Sequence, residues 1–365
     1  MQELEATSVS APLSRLIRAA IDRNGGWLPF DRYMALALYA PELGYYANAS
    51  RKFGLMPESG SDFVTAPELS ALFGLALARQ VAQALQATAT EQIWEFGAGS
   101  GTLALQLLDA LGEQVGIYTI VDLSGSLRQR QQQRLAPHAG KVRWVDELPL
   151  TMSGVVLGNE VLDAMPVRLL HLNGVDWEER GVVCADRHFA WADRPTSATP
   201  PLDAPLEPGT VTEIHPQAEA FVATLADRMQ RGAALFVDYG FPQAEYYHPQ
   251  RLGGTLMCHR AHRADADPLV DVGLKDITAH VNFTGIALAG QEAGFDVLGY
   301  CSQARFLMNC GMLDLMQVAD ARGKANAQKL LMEHEMGELF KVIGFAKGGQ
   351  FDALGFSAGD RSHTL

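Results

Sequence analysis

The sequence has no closely spaced cysteine pair and no long apolar run. Its four cysteines, Cys184, Cys258, Cys301 and Cys310, lie far apart, with no CxxC spacing. This pattern excludes the common zinc and disulfide frameworks. It predicts idle thiols in a reducing compartment and no metal centre. No stretch approaches the ~18 consecutive apolar residues of a membrane-spanning helix, so no membrane span is expected. The N-terminal segment carries Glu3 and Glu5 and lacks an apolar signal core. It reads as neither a secretory signal nor an Arg-rich transit peptide, and the expected location is cytoplasmic. Basic residues are scarce as well: 29 Lys and Arg stand against 42 Asp and Glu, a formal charge of −13. Such a surface repels phosphate backbones, so no nucleic-acid partner is expected.

What remains is an ordinary globular chain. Of its 365 residues, 48% are apolar and 19% charged, which rules out wholesale disorder. The length suits one large core with an added piece. Leu13, Leu16, Ile17, Ala20 and Ile21 share one helical face, and Asp31 to Tyr39 reads as a second helix. Residues 50–62 read as a loop. Thr65-Ala-Pro-Glu68 then has the Thr-x-x-Glu form of a capping box, ahead of a helix to about Leu85. Beyond it the period changes. Strands at 93–96, 117–121, 142–145 and 155–157 alternate with helices at 102–111 and 127–135. This is the β-α-β rhythm of a parallel sheet covered on both faces. A helix at 218–231 and a strand at 233–237 resume it, and 339–345 reads as a late strand. Two segments, about 166–215 and 239–283, break the rhythm and read as insertions. The expected organisation is a helical N-terminal cap over 1–90 and an α/β core over 91–365 that carries both insertions.

The most informative segment is Glu95-Phe96-Gly97-Ala98-Gly99-Ser100-Gly101-Thr102. Alternating glycines between a strand and a helix allow a sharp turn and the close approach of a ligand. A dinucleotide site needs G-x-G-x-x-G, to seat its pyrophosphate on the helix N-terminus. Here the third glycine position holds Thr102. Glu95 adds a carboxylate at the strand end, which would repel a pyrophosphate and suit the α-amino group of S-adenosylmethionine. Asp122, at the next strand end, is placed to accept hydrogen bonds from both ribose hydroxyls. Glu147, past a third strand end, could frame the adenine. The competing readings are a dinucleotide site, or a tight β-α turn with Asp122 as a helix cap and no cofactor.

These residues belong to a longer series of motifs. Pro41-Glu-Leu-Gly-Tyr-Tyr46, Ser61-Asp-Phe-Val-Thr-Ala-Pro-Glu-Leu-Ser70, Glu95–Thr102 and Val121-Asp-Leu-Ser124 follow one another. After them come Gly158-Asn-Glu-Val-Leu-Asp-Ala-Met-Pro166, Val237-Asp-Tyr-Gly240, Asp276-Ile-Thr-Ala-His-Val-Asn-Phe283 and Met336-Gly-Glu-Leu-Phe-Lys341. In this the chain resembles the MidA-like family of S-adenosylmethionine-dependent methyltransferases. That family includes the mitochondrial arginine methyltransferase that assists assembly of respiratory complex I. It commonly has Gly-Asp-Phe at Ser61-Asp62-Phe63 and often Glu at Asp122; both departures are mild. The resemblance implies an α/β fold: a class I, Rossmann-like, seven-stranded methyltransferase core with a helical N-terminal cap and inserted elements. It implies methyl transfer to an arginine of a protein substrate, with a respiratory complex subunit as the family's kind of partner. The cofactor-binding positions are then Glu95, Gly97, Gly99, Gly101, Asp122, Leu123, Glu147, Asn159 and Thr65.

An arginine substrate sets its own demand. The guanidinium is a delocalised cation of very high pKa. Carboxylates must pair with it, aim one nitrogen at the methyl and take a proton. Asn159-Glu160-Val161-Leu162-Asp163 follows the fourth strand at the carboxyl edge of the sheet, where α/β sites form. Read as helical, it puts Glu160 and Asp163 on one face as the catalytic pair. The structural alternative has Asn159 cap a helix whose first turn carries solvated acids. Asp238 and Tyr239 end the next strand, and with His280 they are the candidate substrate contacts. Tyr45, Tyr46, Phe63 and Thr65 are candidates to lid the cofactor, and Asp62 could neutralise a cation. No Asn/Asp-Pro-Pro-aromatic motif follows the fourth strand, which argues against a flipped-base enzyme. The rival readings are a methyltransferase for a small molecule and a non-catalytic S-adenosylmethionine-binding assembly or scaffold protein. An oligomer formed through the insertions is left open.

Overall fold

The computed structural model describes residues 2–48, 64–122, 125–186, 188–201, 205–260 and 263–365. The expected loop over 50–62, with Asp62 and Phe63, lies outside the described residues, as does Leu123. The chain forms two compact units. One is built from Val64–Leu162, Glu219–Pro242 and Phe283–Leu365; the other from Met1–Phe63, Asp163–Ala218 and Gln243–Asn282.

The first unit holds a mostly parallel sheet. Seven of that sheet's eight strands are β1 (Gln92–Phe96), β2 (Ile117–Val121), β3 (Val142–Val145), β4 (Met152–Asn159), β5 (Met229–Phe241), β6 (Asp296–Ser302) and β7 (Phe340–Lys347). They lie in the order β3-β2-β1-β4-β5-β7-β6. The pairs from β3 to β5 are parallel, and β7 runs antiparallel to both its neighbours. Strands covered on both faces need apolar side chains on both. Ile93, Tyr118, Ile120, Val155, Val156, Ala233 and Phe236 are all fully buried. Helices Ala71–Ala87 and Thr102–Leu111 place Phe73, Leu77, Val81, Leu103 and Leu107 in one core with Ile93 and Val155. Burying each such large side chain contributes roughly 1.5–3 kcal/mol.

The strand ends are in register. Phe96 pairs with Val121 and with Gly158, Val121 with Val145, and Asn159 with Val237. Gly97, Asp122, Asp146 and Glu160 therefore all leave the sheet at one carboxyl edge, level with Asp238, which does not end its strand: β5 runs on through Tyr239 to Phe241.

The expected helix behind Thr65 is interrupted. A single turn, Ala66–Leu69, is followed by a break at Ser70, whose hydroxyl accepts the Leu72 N–H and caps the helix Ala71–Ala87. The apolar face of that helix packs on the sheet, so it belongs to the core, and the expected boundary at 90 moves to 63/64.

The second unit is not a purely helical cap. Helices Gln2–Arg23 and Phe30–Tyr39 flank the short strand Leu28–Pro29, which pairs antiparallel with Trp177–Ala185. That strand joins Arg168–Leu172, His188–Pro195 and Val211–Ile214 in an antiparallel sheet. Leu13, Ile17, Ile21, Phe30, Tyr33 and Met34 share a buried core with Val167, Leu169, Val182, Cys258 and Ile277. The two expected insertions thus fold with the N-terminal segment. No described helix is long and apolar enough to cross a membrane.

Candidate active site

The loop between β1 and helix Thr102–Leu111 depends on its glycines. Gly97, Gly99 and Gly101 have φ of +61°, +51° and +80°, a region that residues with a Cβ adopt only under strain. A Cβ on Gly97 would also lie 2.9 Å from Val161 Cγ2. The loop is therefore open backbone, able to press against a ligand.

Glu95 stands just before this loop and is 3% exposed. Its Oε2 accepts a hydrogen bond of 2.8 Å from the Tyr118 hydroxyl on β2. Burial pushes its carboxyl up to about 8; the Tyr118 bond opposes this and the nearby Asp122 charge adds to it. A cation placed beside it would favour the ionised form. Asp122 follows β2, and its Oδ2 accepts a 2.9 Å bond from Gln131 Nε2. The same nitrogen donates to the Gly99 carbonyl at 3.0 Å. Glu147 is exposed beyond β3, next to Asp146, which pairs with Arg128.

The Thr65–Glu68 capping box does not form. Thr65 makes no side-chain cap bond. Glu68 instead reaches the glycine loop, where Oε1 accepts from the hydroxyls of Ser100 and Thr102 (the latter at 2.7 Å) and from Arg134 at 3.2 Å. Three donors on the loop side outcompete a local N–H, and the loop is latched from outside.

The segment after β4 is a turn, not a helix. Glu160 has φ +55°, and its N–H donates to the Val237 carbonyl at 2.9 Å. Asp238, 1% exposed, accepts the N–H groups of Val161 at 3.1 Å and Leu162 at 2.9 Å through Oδ2. A buried carboxylate that gathers backbone donors replaces the helix. Asp238 thus positions the Glu160 turn. Asn159 Nδ2 donates to Glu160 Oε1 at 3.0 Å, and Tyr239 packs edge-on against Phe340 at 5.3 Å.

Glu160 and Asp163 accordingly do not share a helical face; Asp163 falls in the other unit. There it is buried, and the Tyr39 and Tyr46 phenols feel its charge and that of Asp276. Tyr46 donates to Asp276 at 2.8 Å and stacks on Tyr39 at 5.5 Å, while Tyr45 is core. His280 also lies in this unit, its N–H on Thr255 Oγ1 at 3.0 Å. Asp238 and Tyr239 belong to the first unit. Also here, among the described residues, His171, Glu178 and Asp193 come within metal-ligand spacing. Arg180 already pairs with both oxygens of Asp193 at 2.9 Å.

Sequence reasoning missed Gln131, Arg134 and the partners of Glu68. The run Arg128–Arg134 looks uniformly solvated. Yet Leu127, Gln131 and Leu135 fall on one i, i+4, i+8 row, and that spacing marks Gln131 as the inward glutamine.

A parallel sheet with a non-dinucleotide glycine loop set between two carboxylates has the site of an enzyme using an adenosyl cofactor. The chain belongs to a family of S-adenosyl-L-methionine-dependent methyltransferases, whose profile matches residues 76–301. The crystal structure of a COG1565 superfamily member from Burkholderia thailandensis, bound to S-adenosyl-homocysteine, is 51% identical, with a TM-score of 0.95. That match covers 99% of this chain and 98% of that one. Mitochondrial proteins named protein arginine methyltransferase NDUFAF7 are similar as well. The Drosophila melanogaster homolog is 29% identical over 93% of this chain and 81% of its own. The Danio rerio protein is 28% identical over 80% and 75%.

The residues present fit this cofactor. The loop is a cradle that side chains would fill, and Glu95 offers a buried carboxyl to an ammonium. At the end of β4, Asn159 Oδ1 is buried with no hydrogen-bond partner among the described residues. S-adenosylmethionine is thus the cofactor, and the chain is a methyltransferase.

Proposed function

We propose that this protein transfers the methyl group of S-adenosylmethionine to an arginine side chain of a protein substrate, on a class I core. The strand order with β7 antiparallel supports the class I reading. The observation that carries the donor half is the placement of Glu95 and Asp122 at adjacent strand ends, around a loop whose three glycines have positive φ. The acceptor half is supported by the relatives named protein arginine methyltransferases and by the carboxylate of Glu160 at the same sheet edge.

When bound, S-adenosylmethionine supplies an electrophilic methyl on a sulfonium. Glu95 would pair with its ammonium, Asp122 would hold its ribose, and the loop backbone would lie against it. Glu160 pairs with the guanidinium, keeps one nitrogen in line and accepts the proton that leaves after transfer. Asp238 locks the turn on which Glu160 sits. Subunits of respiratory complexes, which the family resemblance implies, are the first substrates to try.

The test is transfer of radiolabel from S-adenosylmethionine into a lysate and into isolated respiratory subunits, by wild type and by Glu160→Gln. Label is expected in one protein, released on hydrolysis as methylarginine, and reduced about 100-fold or more by the substitution. Label confined to small molecules would reassign the acceptor. Donor binding without any transfer would make the protein a non-catalytic binder.

A further inference from the structure

We propose that Gln131 is a positioning residue for the cofactor: its side-chain amide ties the Asp122 carboxylate to the Gly99 carbonyl, joining ribose site and glycine loop. Gln131 is 0% exposed on the helix Gly125–Arg134. Nε2 donates to Gly99 O at 3.0 Å and to Asp122 Oδ2 at 2.9 Å, and Oε1 accepts from the Trp144 indole at 2.9 Å. Gly99 follows β1, Asp122 follows β2 and Trp144 lies in β3. One amide therefore spans three adjacent strand ends.

The orientation of the amide is forced. An indole N–H can only donate, so the atom facing Trp144 is the amide oxygen. Both amide N–H groups then point at the acceptors, Gly99 O and Asp122 Oδ2. Other side chains fail for separate reasons. Glutamate has no donor and would oppose Asp122. Lysine cannot accept from Trp144. Asparagine is one methylene short. Methionine fills the space but leaves three polar groups without this partner, and buried polar groups left unmade are costly. The loop is also shaped around Gln131: a Cβ on Gly101 would meet its Cγ at 3.4 Å and its Cα at 3.5 Å.

This role rests on Asp122 binding the ribose, as proposed above. The experiment measures calorimetric affinity of the full-length protein for S-adenosylhomocysteine and for its 2′,3′-dideoxy analogue. Gln131→Met should weaken S-adenosylhomocysteine about tenfold or more, and the dideoxy analogue several-fold less, because the ribose contact is what Gln131 organises. Trp144→Phe frees the amide to flip and should show the same selectivity at smaller size, even if Gln131→Met folds poorly. Equal weakening of both ligands would reduce Gln131 to a fold residue and overturn the proposal. So would unchanged affinity in both variants while Asp122→Ala still weakens binding. If Asp122→Ala itself changes nothing, the ribose reading fails first, and the positioning role with it.

Discussion

Glu95 is a carboxyl placed where water is not, and its chemistry follows from that. Its pKa is raised from the ordinary 4.5 to about 8, so the folded chain favours the protonated form. A bound ammonium favours the ionised form. Donor binding below about pH 8 therefore releases a proton, and affinity should rise up to about tenfold per pH unit toward 8, then level. Glu95→Gln should bind more weakly and lose this slope in calorimetry. Stability of the cofactor-free chain runs the other way. A raised acid pKa leaves stability intact below 4.5 and removes it as pH climbs to about 8, by at most ~1.4 kcal/mol for each pH unit crossed. Cofactor-free Glu95→Gln should then melt higher than wild type at pH 8; a lower melting point there would sink the account. Glu68 is shifted downward instead. Burial alone would raise it, but hydrogen bonds from Ser100 and Thr102 and the charge of Arg134 outweigh burial. Glu68→Ala should loosen the loop and weaken donor binding about tenfold, with kcat at saturating donor changed far less. A fall confined to kcat would remove the latch role.

At the scale of elements, the turn after β4 holds a strained backbone at the proposed acceptor site. Glu160 sits at φ +55°, which costs a residue with a Cβ on the order of 1 kcal/mol or more. Glu160→Gly should melt at or above the wild-type temperature while abolishing transfer. A variant that loses both stability and transfer would show that the carboxylate serves the fold. The core elements were legible because their periods are strong: 102–111, 117–121 and 142–145 match the observed helix and strands residue for residue. The turn at 159–163 was not. Its acids at i and i+3 suit a helix first turn, and only a carboxylate from β5, remote in sequence, turns the backbone away. The capping box failed likewise, since Glu68 finds its donors on the glycine loop.

For the whole molecule, the second unit depends on three separated stretches of chain. Deleting residues 1–63 would strip Leu13, Ile17, Ile21, Phe30, Tyr33 and Met34 from Val167, Leu169, Val182 and Ile277. The truncated protein should be poorly soluble or bind a hydrophobic dye strongly. A monomeric, well-behaved truncation that still binds S-adenosylhomocysteine would show that the N-terminal segment is dispensable. The buried cysteines serve as packing: Cys258, Cys301 and Cys310 are free and lie in the two cores, and burial pushes each thiol up to about 12.

Period and composition alone determined the alternating core, the glycine loop and the acids at its strand ends, because each is written in residues a few positions apart. Tertiary structure decided which distant groups satisfy one another: Gln131 with Asp122 and Trp144, Glu68 with Ser100, Asp238 with the Glu160 turn. It also decided that the N-terminal segment and both insertions form one unit. A buried hydrogen-bonding group must find a partner, and local sequence records the need for one without recording where in the chain it lies.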